Sequence, residues 1–121
     1  EANKIYLGFR TDVMQIYQLF DLFILPSRAE GLPNVVMESM AQGTPVIGSA
    51  VGGVNFIIQN AQNGILVDPQ DSDGFVTNIL RLRKNKQELL RLGKSAKNTI
   101  MTNYNWDIII ASYSRLFNKL T

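Results

Sequence analysis

Ser27-Arg28-Ala29-Glu30-Gly31-Leu32-Pro33-Asn34-Val35-Val36-Met37-Glu38 is the stretch whose reading decides the fold. Just before it, the apolar run Leu22-Phe23-Ile24-Leu25 stops at Pro26, the pattern of a short buried strand. Pro33 suits the first position of a helix, where its fixed φ and missing N–H cost nothing. Strand, loop and helix start therefore follow in order. Such a helix leaves unpaired N–H groups from about Asn34 to Met37 above the strand end, where they attract anions, phosphate above all.

Glu30 and Glu38 flank that anion site, with seven residues between them. Like charges repel, so neither acid suits the phosphate itself. Each is better placed to accept hydrogen bonds from hydroxyls on either side of it, and sugar and ribose supply such hydroxyls. With Pro33 first in the helix, Glu38 stands roughly 7 to 8 Å along the axis at about 1.5 Å per residue, and Glu30 stays in the loop. A diphosphate fits between them. A charged acceptor on a hydroxyl contributes about 1.5 to 3 kcal/mol. The plainer reading is a solvated loop acid and an ordinary acid on a helix surface.

Working outward, Ser39-Met40-Ala41-Gln42-Gly43 ends the helix at a glycine, Thr44-Pro45-Val46-Ile47-Gly48 reads as the next strand, and Gly52-Gly53 opens a turn. Towards the N-terminus, Lys4-Ile5-Tyr6-Leu7 reads as a short strand into Gly8, and Thr11 or Asp12 caps a helix through Val13, Ile16, Tyr17 and Phe20. Further on, a helix is expected over 53–60, a strand over 64–67, a helix from Asp71 to about Asn85, and two closing helices. Strands alternating with helices imply an α/β fold with right-handed crossovers and a parallel sheet, its ligand at the carboxyl ends of the strands.

Composition narrows the chemistry. The 121 residues make one domain at most. There are no cysteines and no histidines, which excludes disulfides, thiolate metal sites, zinc–histidine centres and a serine–histidine triad within this sequence. No apolar run reaches the roughly 18 to 20 residues of a bilayer span, and no charged-then-apolar leader opens these residues, so a soluble, cytoplasmic chain is expected. A net charge of +2 is too small to argue for nucleic acid. Yet Arg81, Arg83, Lys84, Lys86, Arg91, Lys94 and Lys97 cluster around one acid, Glu88. The cluster suits peripheral contact with anionic lipid headgroups. A solvated helix pair with Leu89, Leu92, Ala96 and Ile100 turned inward is the simpler account of it.

Pro26-Ser27, Glu30-Gly31-Leu32-Pro33, Glu38-Ser39-Met40-Ala41, Gly43-Thr44-Pro45-Val46, Gly52-Gly53, Asn63-Gly64-Ile65-Leu66-Val67, Asp71 and Tyr104-Asn105-Trp106 together carry a resemblance across nearly the whole chain. It resembles the C-terminal, donor-binding domain of the retaining GT-B glycosyltransferases of the group 1, sucrose synthase-like family. That family's signature, two glutamates separated by seven residues, maps onto Glu30 and Glu38 without gaps. The resemblance implies that Glu30 is the acid at the catalytic centre, touching hydroxyls of the transferred sugar, and that Glu38 holds the ribose. It places Gly31, Leu32, Pro33, Asn34 and Val35 around the sugar and diphosphate. Arg10 would stack near the base; an ordinary surface arginine is the other reading. The full-length enzyme would take a sugar from a UDP-sugar or GDP-sugar and pass it, with retention, to a glycan or lipid acceptor, with no cofactor and no protein-bound metal. After the glycine pair the family commonly places a Glu, where this chain has Val54-Asn55-Phe56, so that loop is assigned no side-chain acceptor.

Lys4–Leu7 resembles the third strand of that domain. Residues 1–121 are therefore expected to be a single partial nucleotide-sugar-binding domain, lacking its first two strand-helix units, the Arg and Lys pair used against the diphosphate, and the N-terminal domain. Such a piece would be inactive alone. The Ile5 strand would pair directly with the Leu22 strand, or copies would associate to cover open edges. The apolar stripe Ile109, Ile110, Tyr113, Leu116, Phe117 and Leu120 is wider than one sheet face needs, and Trp106 would anchor the turn before it. The competing reading is a non-catalytic nucleotide- or phosphate-binding module.

Overall fold

The computed structural model describes residues 3–120. In chain order the elements are α1 (Val13–Tyr17), β1 (Phe23–Leu25), α2 (Asn34–Ala41), β2 (Val46–Ser49), α3 (Val54–Ile57), β3 (Ile65–Val67), α4 (Ser72–Arg83), α5 (Lys86–Asn103) and α6 (Trp106–Leu120). The strands form one parallel sheet in the order β1-β2-β3, with Phe23 opposite Val46 and Ile47 opposite Ile65. This is the expected Rossmann-like arrangement. Its central strand, β2, is buried throughout, and its alternation divides the core in two. Val46 packs with Val36, Met40 and Ile57, while Ile47 packs with Val67, Phe75 and Leu82. Helix α5 serves both clusters, giving Leu92 to one and Ala96 and Ile100 to the other. The inward stripe expected for this helix is present.

Caps set the helix ends. Asp71 accepts a hydrogen bond from the Gly74 N–H at 2.8 Å to start α4, as expected, and Asn85 does the same for the Glu88 N–H at 3.0 Å to start α5. Gly43, with φ of +78°, closes α2 by donating to the Met40 carbonyl at 2.9 Å.

The short elements depart from expectation. Residues 4–7 form no strand among the described residues, and Ile5 and Tyr6 are exposed. The fifteen residues from 8 to 22 meet the length of about a dozen that a parallel crossover needs, so chain length is not the obstacle. Here the intervening chain holds only the five-residue α1, pinned where the Thr44 hydroxyl donates to the Tyr17 carbonyl at 2.6 Å. Ile5 and Leu7 instead lie along a surface hollow shared with Ile16, Leu19 and Phe20. Helix α1 stops at Tyr17, not Phe20; the Asp12 carboxylate is taken by Arg10 and makes no cap. Helix α3 ends at Ile57 because Asn63 closes it, accepting from the Gln59 N–H at 2.7 Å and donating to the Ile57 carbonyl at 3.1 Å. Trp106 is 76% exposed and anchors nothing. Asn105 holds that turn, donating to the Met101 carbonyl at 2.6 Å and accepting from the Ile108 N–H at 2.9 Å. Along α6, Ile110, Tyr113, Leu116 and Phe117 stand exposed and Ile109 is half-buried, whereas the Leu120 side chain lies outside the described residues.

Candidate functional site

The segment joining β1 to α2 leaves the carboxyl edge of the sheet, where a doubly wound fold carries its ligand. Pro33 is the N-cap of α2 and not its first residue: with ψ of 92° it is extended, and its carbonyl accepts from the N–H groups of Val36 and Met37 at 3.0 and 3.3 Å. Those two donors are therefore occupied. Among the described residues, the N–H groups of Asn34 and Val35 are left without a backbone partner, and both residues are exposed, as are Gly31 and Leu32. The open end of the helix is thus narrower than its sequence implies, two donors wide.

Each glutamate is braced by a hydroxyl. The Ser27 hydroxyl donates to Glu30 Oε1 at 2.6 Å, which leaves Oε2 for another donor. Both partners are half-buried. Glu38 Oε2 accepts a long hydrogen bond, 3.4 Å, from Tyr17 Oη. Burial pushes the Tyr17 phenol above its ordinary pKa, and the Glu38 charge and hydrogen bond add to that rise. The ring itself is fixed edge-on to Phe20 and Phe23, with centroids 6.1 and 5.6 Å away.

Gly52 and Gly53 press against this loop from the turn after β2. A side chain on Gly52 would strike the Glu30 carbonyl, and one on Gly53 would strike that of Gly31. The Gly53 N–H donates to the Gly31 carbonyl at 2.9 Å. The glycine pair lets backbone approach the Glu30-Gly31 loop and fixes its path. Ser27, Tyr17 and the glycine pair are thus positioning residues. Of these, the Ser27 to Glu30 spacing alone is visible in the sequence. Arg28 lines an open cleft of about 580 Å³ with Pro69, Gln70 and Ser72, between the loops after β1 and β3. Arg10 is elsewhere engaged, its guanidinium meeting Asp12 at 2.8 and 2.6 Å on the exposed approach to α1. That pairing lowers the Asp12 pKa, chiefly through the hydrogen bond from Arg10. Phe56 is 82% exposed and offers only its carbonyl, to Tyr104 Oη.

Residues 1–85 match the sequence profile of the glycosyl transferases group 1 family. The chain belongs to that family. Among relatives of this chain, UDP-Gal:alpha-D-GlcNAc-diphosphoundecaprenol alpha-1,3-galactosyltransferase of Escherichia coli is 33% identical over 105 residues, covering 87% of this chain and 27% of the relative. N,N'-diacetylbacillosaminyl-diphospho-undecaprenol alpha-1,3-N-acetylgalactosaminyltransferase of Campylobacter jejuni is 30% identical, covering 95% of this chain and 30% of the relative. Among solved structures, sucrose-phosphate synthase of Thermosynechococcus elongatus superposes with a TM-score of 0.80 at 33% identity, over 87% of this chain and 26% of that one. Anabaena Alr3699/HepE in complex with UDP-glucose shares the fold, with a TM-score of 0.86 at 24% identity, over 93% of this chain and 31% of that one. The chain therefore spans roughly a quarter to a third of the length of these relatives.

Proposed function

We propose that this chain is the donor-binding part of a retaining hexosyltransferase that takes a sugar from a UDP-sugar or GDP-sugar and passes it to a glycan or lipid acceptor, without a protein-bound metal. The observation carrying the proposal is the pair of braced carboxylates, Glu30 on Ser27 and Glu38 on Tyr17, set before and after the two open N–H groups of Asn34 and Val35. Glu30 meets hydroxyls of the transferred sugar with the oxygen Ser27 leaves free. Glu38 holds the ribose. The N–H groups at the positive end of α2 meet the diphosphate and stabilise the charge that grows on it as the sugar departs. Gly31, Leu32 and Pro33 give the shape of the loop between. Arg10 keeps its flat faces available for a base, since its bonds to Asp12 lie in the guanidinium plane. The catalytic centre is completed by an N-terminal domain that seats on the exposed stripe of α6 and brings the acceptor. The reading places the enzyme in the cytoplasm. Its lipid-acceptor limb draws support from the diphosphoundecaprenol substrates named for two relatives.

Titration calorimetry with UDP, GDP, UDP-glucose and GDP-mannose tests the assignment. Glu38→Ala is expected to weaken both bare nucleotide and nucleotide-sugar about tenfold or more, and Glu30→Ala to weaken only the sugar-bearing form. Indistinguishable isotherms for wild type and both variants overturn it.

A further inference from the structure

One face of α5 takes no part in the core or in the candidate site. Lys86, Leu90, Lys94, Lys97 and Met101 recur at spacings of four, four, three and four residues. At 3.6 residues per turn they fall within a sector of roughly 80°, along about 22 Å of helix. All five are exposed, Leu90 at 66% and Met101 at 56%. The buried residues Leu92, Ala96 and Ile100 occupy another sector. The one acid of this helix, Glu88, is turned aside to Arg81 at 2.5 Å and Arg91 at 4.0 Å. The stripe itself holds three cations, two apolar side chains and no acid. At its N-terminal end it meets Phe20 and Asp21, which line a hollow of about 160 Å³ with Lys86, Leu89 and Leu90. Asp21 is the only carboxylate lining that hollow, and Arg83 joins Lys86 beside it in the neighbouring one.

Single exposed apolar residues on a protein surface are ordinary. Interleaving them with lysines along one helical line is a different pattern. A lysine stem lies along apolar surface while its ammonium reaches outward to a plane of phosphates, and the leucine and methionine between enter the headgroup layer. Cationic and apolar along its length, this line complements a surface that is anionic at the outside and apolar beneath. We propose that this face of α5 docks the protein on an anionic lipid bilayer, with the helix axis parallel to the membrane plane. The proposal does not depend on what Glu30 and Glu38 bind.

Cosedimentation of the full chain with phosphatidylglycerol–phosphatidylcholine vesicles, beside pure phosphatidylcholine vesicles, tests it. Binding is expected on the anionic vesicles alone, and raised salt is expected to weaken it. Exchanging Lys86, Lys94 and Lys97 together for Gln should weaken partitioning at least ~tenfold, since each lysine near an anionic surface contributes about fivefold. Leu90→Ser with Met101→Ser should weaken vesicle binding while leaving retention on soluble polyglutamate unchanged. Circular dichroism confirms that each variant is folded, and where the triple exchange is not, the single exchanges Lys94→Gln and Lys97→Gln, each expected to weaken partitioning about fivefold, serve in its place. Equal partitioning of wild type and the lysine variant overturns the proposal, as does equal binding to neutral vesicles. Polyglutamate or duplex RNA bound as tightly as the anionic vesicles overturns it too, by making the face a general polyanion site.

Discussion

Where a side chain on residue 53 would lie, the carbonyl of Gly31 already stands, and the same holds for residue 52 and the carbonyl of Glu30. The path of the glutamate-bearing loop is therefore written partly in residues some twenty positions away. Gly53 has an ordinary helical φ of −63°, so its requirement for glycine is one of space and not of backbone conformation. Gly53→Ala should destabilise the protein by about 1 to 3 kcal/mol, because the added methyl forces two packed backbones apart. Urea unfolding measures this directly, and amide shifts of Glu30 and Gly31 report whether the loop has moved. A variant of wild-type stability with unmoved amides would show that the two turns are not in contact. At this scale the spacing of Glu30 and Glu38 and the helix start between them were legible in the sequence. Their braces were less so, because Tyr17 reaches Glu38 across twenty-one positions and no local pattern announces such a pairing.

Length separates the elements that were legible from those that were not. Helices α4 and α5 carry twelve and eighteen residues, so their periodicity reads directly, and Asp71 marks the start of α4, whereas the Asn85 cap of α5 appears only in the structure. Helices α1 and α3, five and four residues long, are bordered by local side-chain bonds that periodicity does not encode: Arg10 on Asp12 before α1, and Asn63 on Ile57 and Gln59 after α3. The corner between α4 and α5 yields a pH prediction. Glu88 is held below the usual carboxylate range, first by its hydrogen bond from Arg81 and then by the charges of Arg81 and Arg91, against an opposing cost of burial. A carboxyl whose folded pKa is depressed stabilises the fold above its unfolded value, near about 4.3, and that contribution is lost as pH falls through the folded value. Arg81 is 44% exposed, so solvent screening reduces the pair to about 0.5 to 1 kcal/mol. Glu88→Gln should lower the unfolding free energy from urea titration at neutral pH by that amount, and the gap should close in acid. A gap of equal size at both pH values would assign it to the Asn85 turn and not to the ion pair.

For the whole molecule, three parallel strands make a sheet whose centre and edges differ sharply in what surrounds them. All four residues of β2 are buried between two clusters of apolar side chains, and a strand lies on either side of it. At the edge, β1 is only three residues long, and its Ile24 is exposed. A strand exists only where a neighbour accepts its ladder, which explains why β1, β2 and β3 could be read from their own apolar runs and residues 4–7 could not. Their composition suits a strand, but the chain lays them beside α1. Native-state hydrogen exchange should resolve this difference, since amides open with free energies that run from near zero in unpacked segments to the full stability in a buried core. The amides of Val46–Ser49 should exchange only through global unfolding, those of Phe23–Leu25 faster, and those of residues 4–10 at nearly unprotected rates. Dilution separates the remaining alternatives. Protection of residues 4–7 at every concentration would return them to the sheet as a fourth strand and overturn the observed topology. Protection of Phe23–Leu25 that rises with concentration would show copies pairing across the open edge, where unsatisfied backbone groups are most exposed to one another.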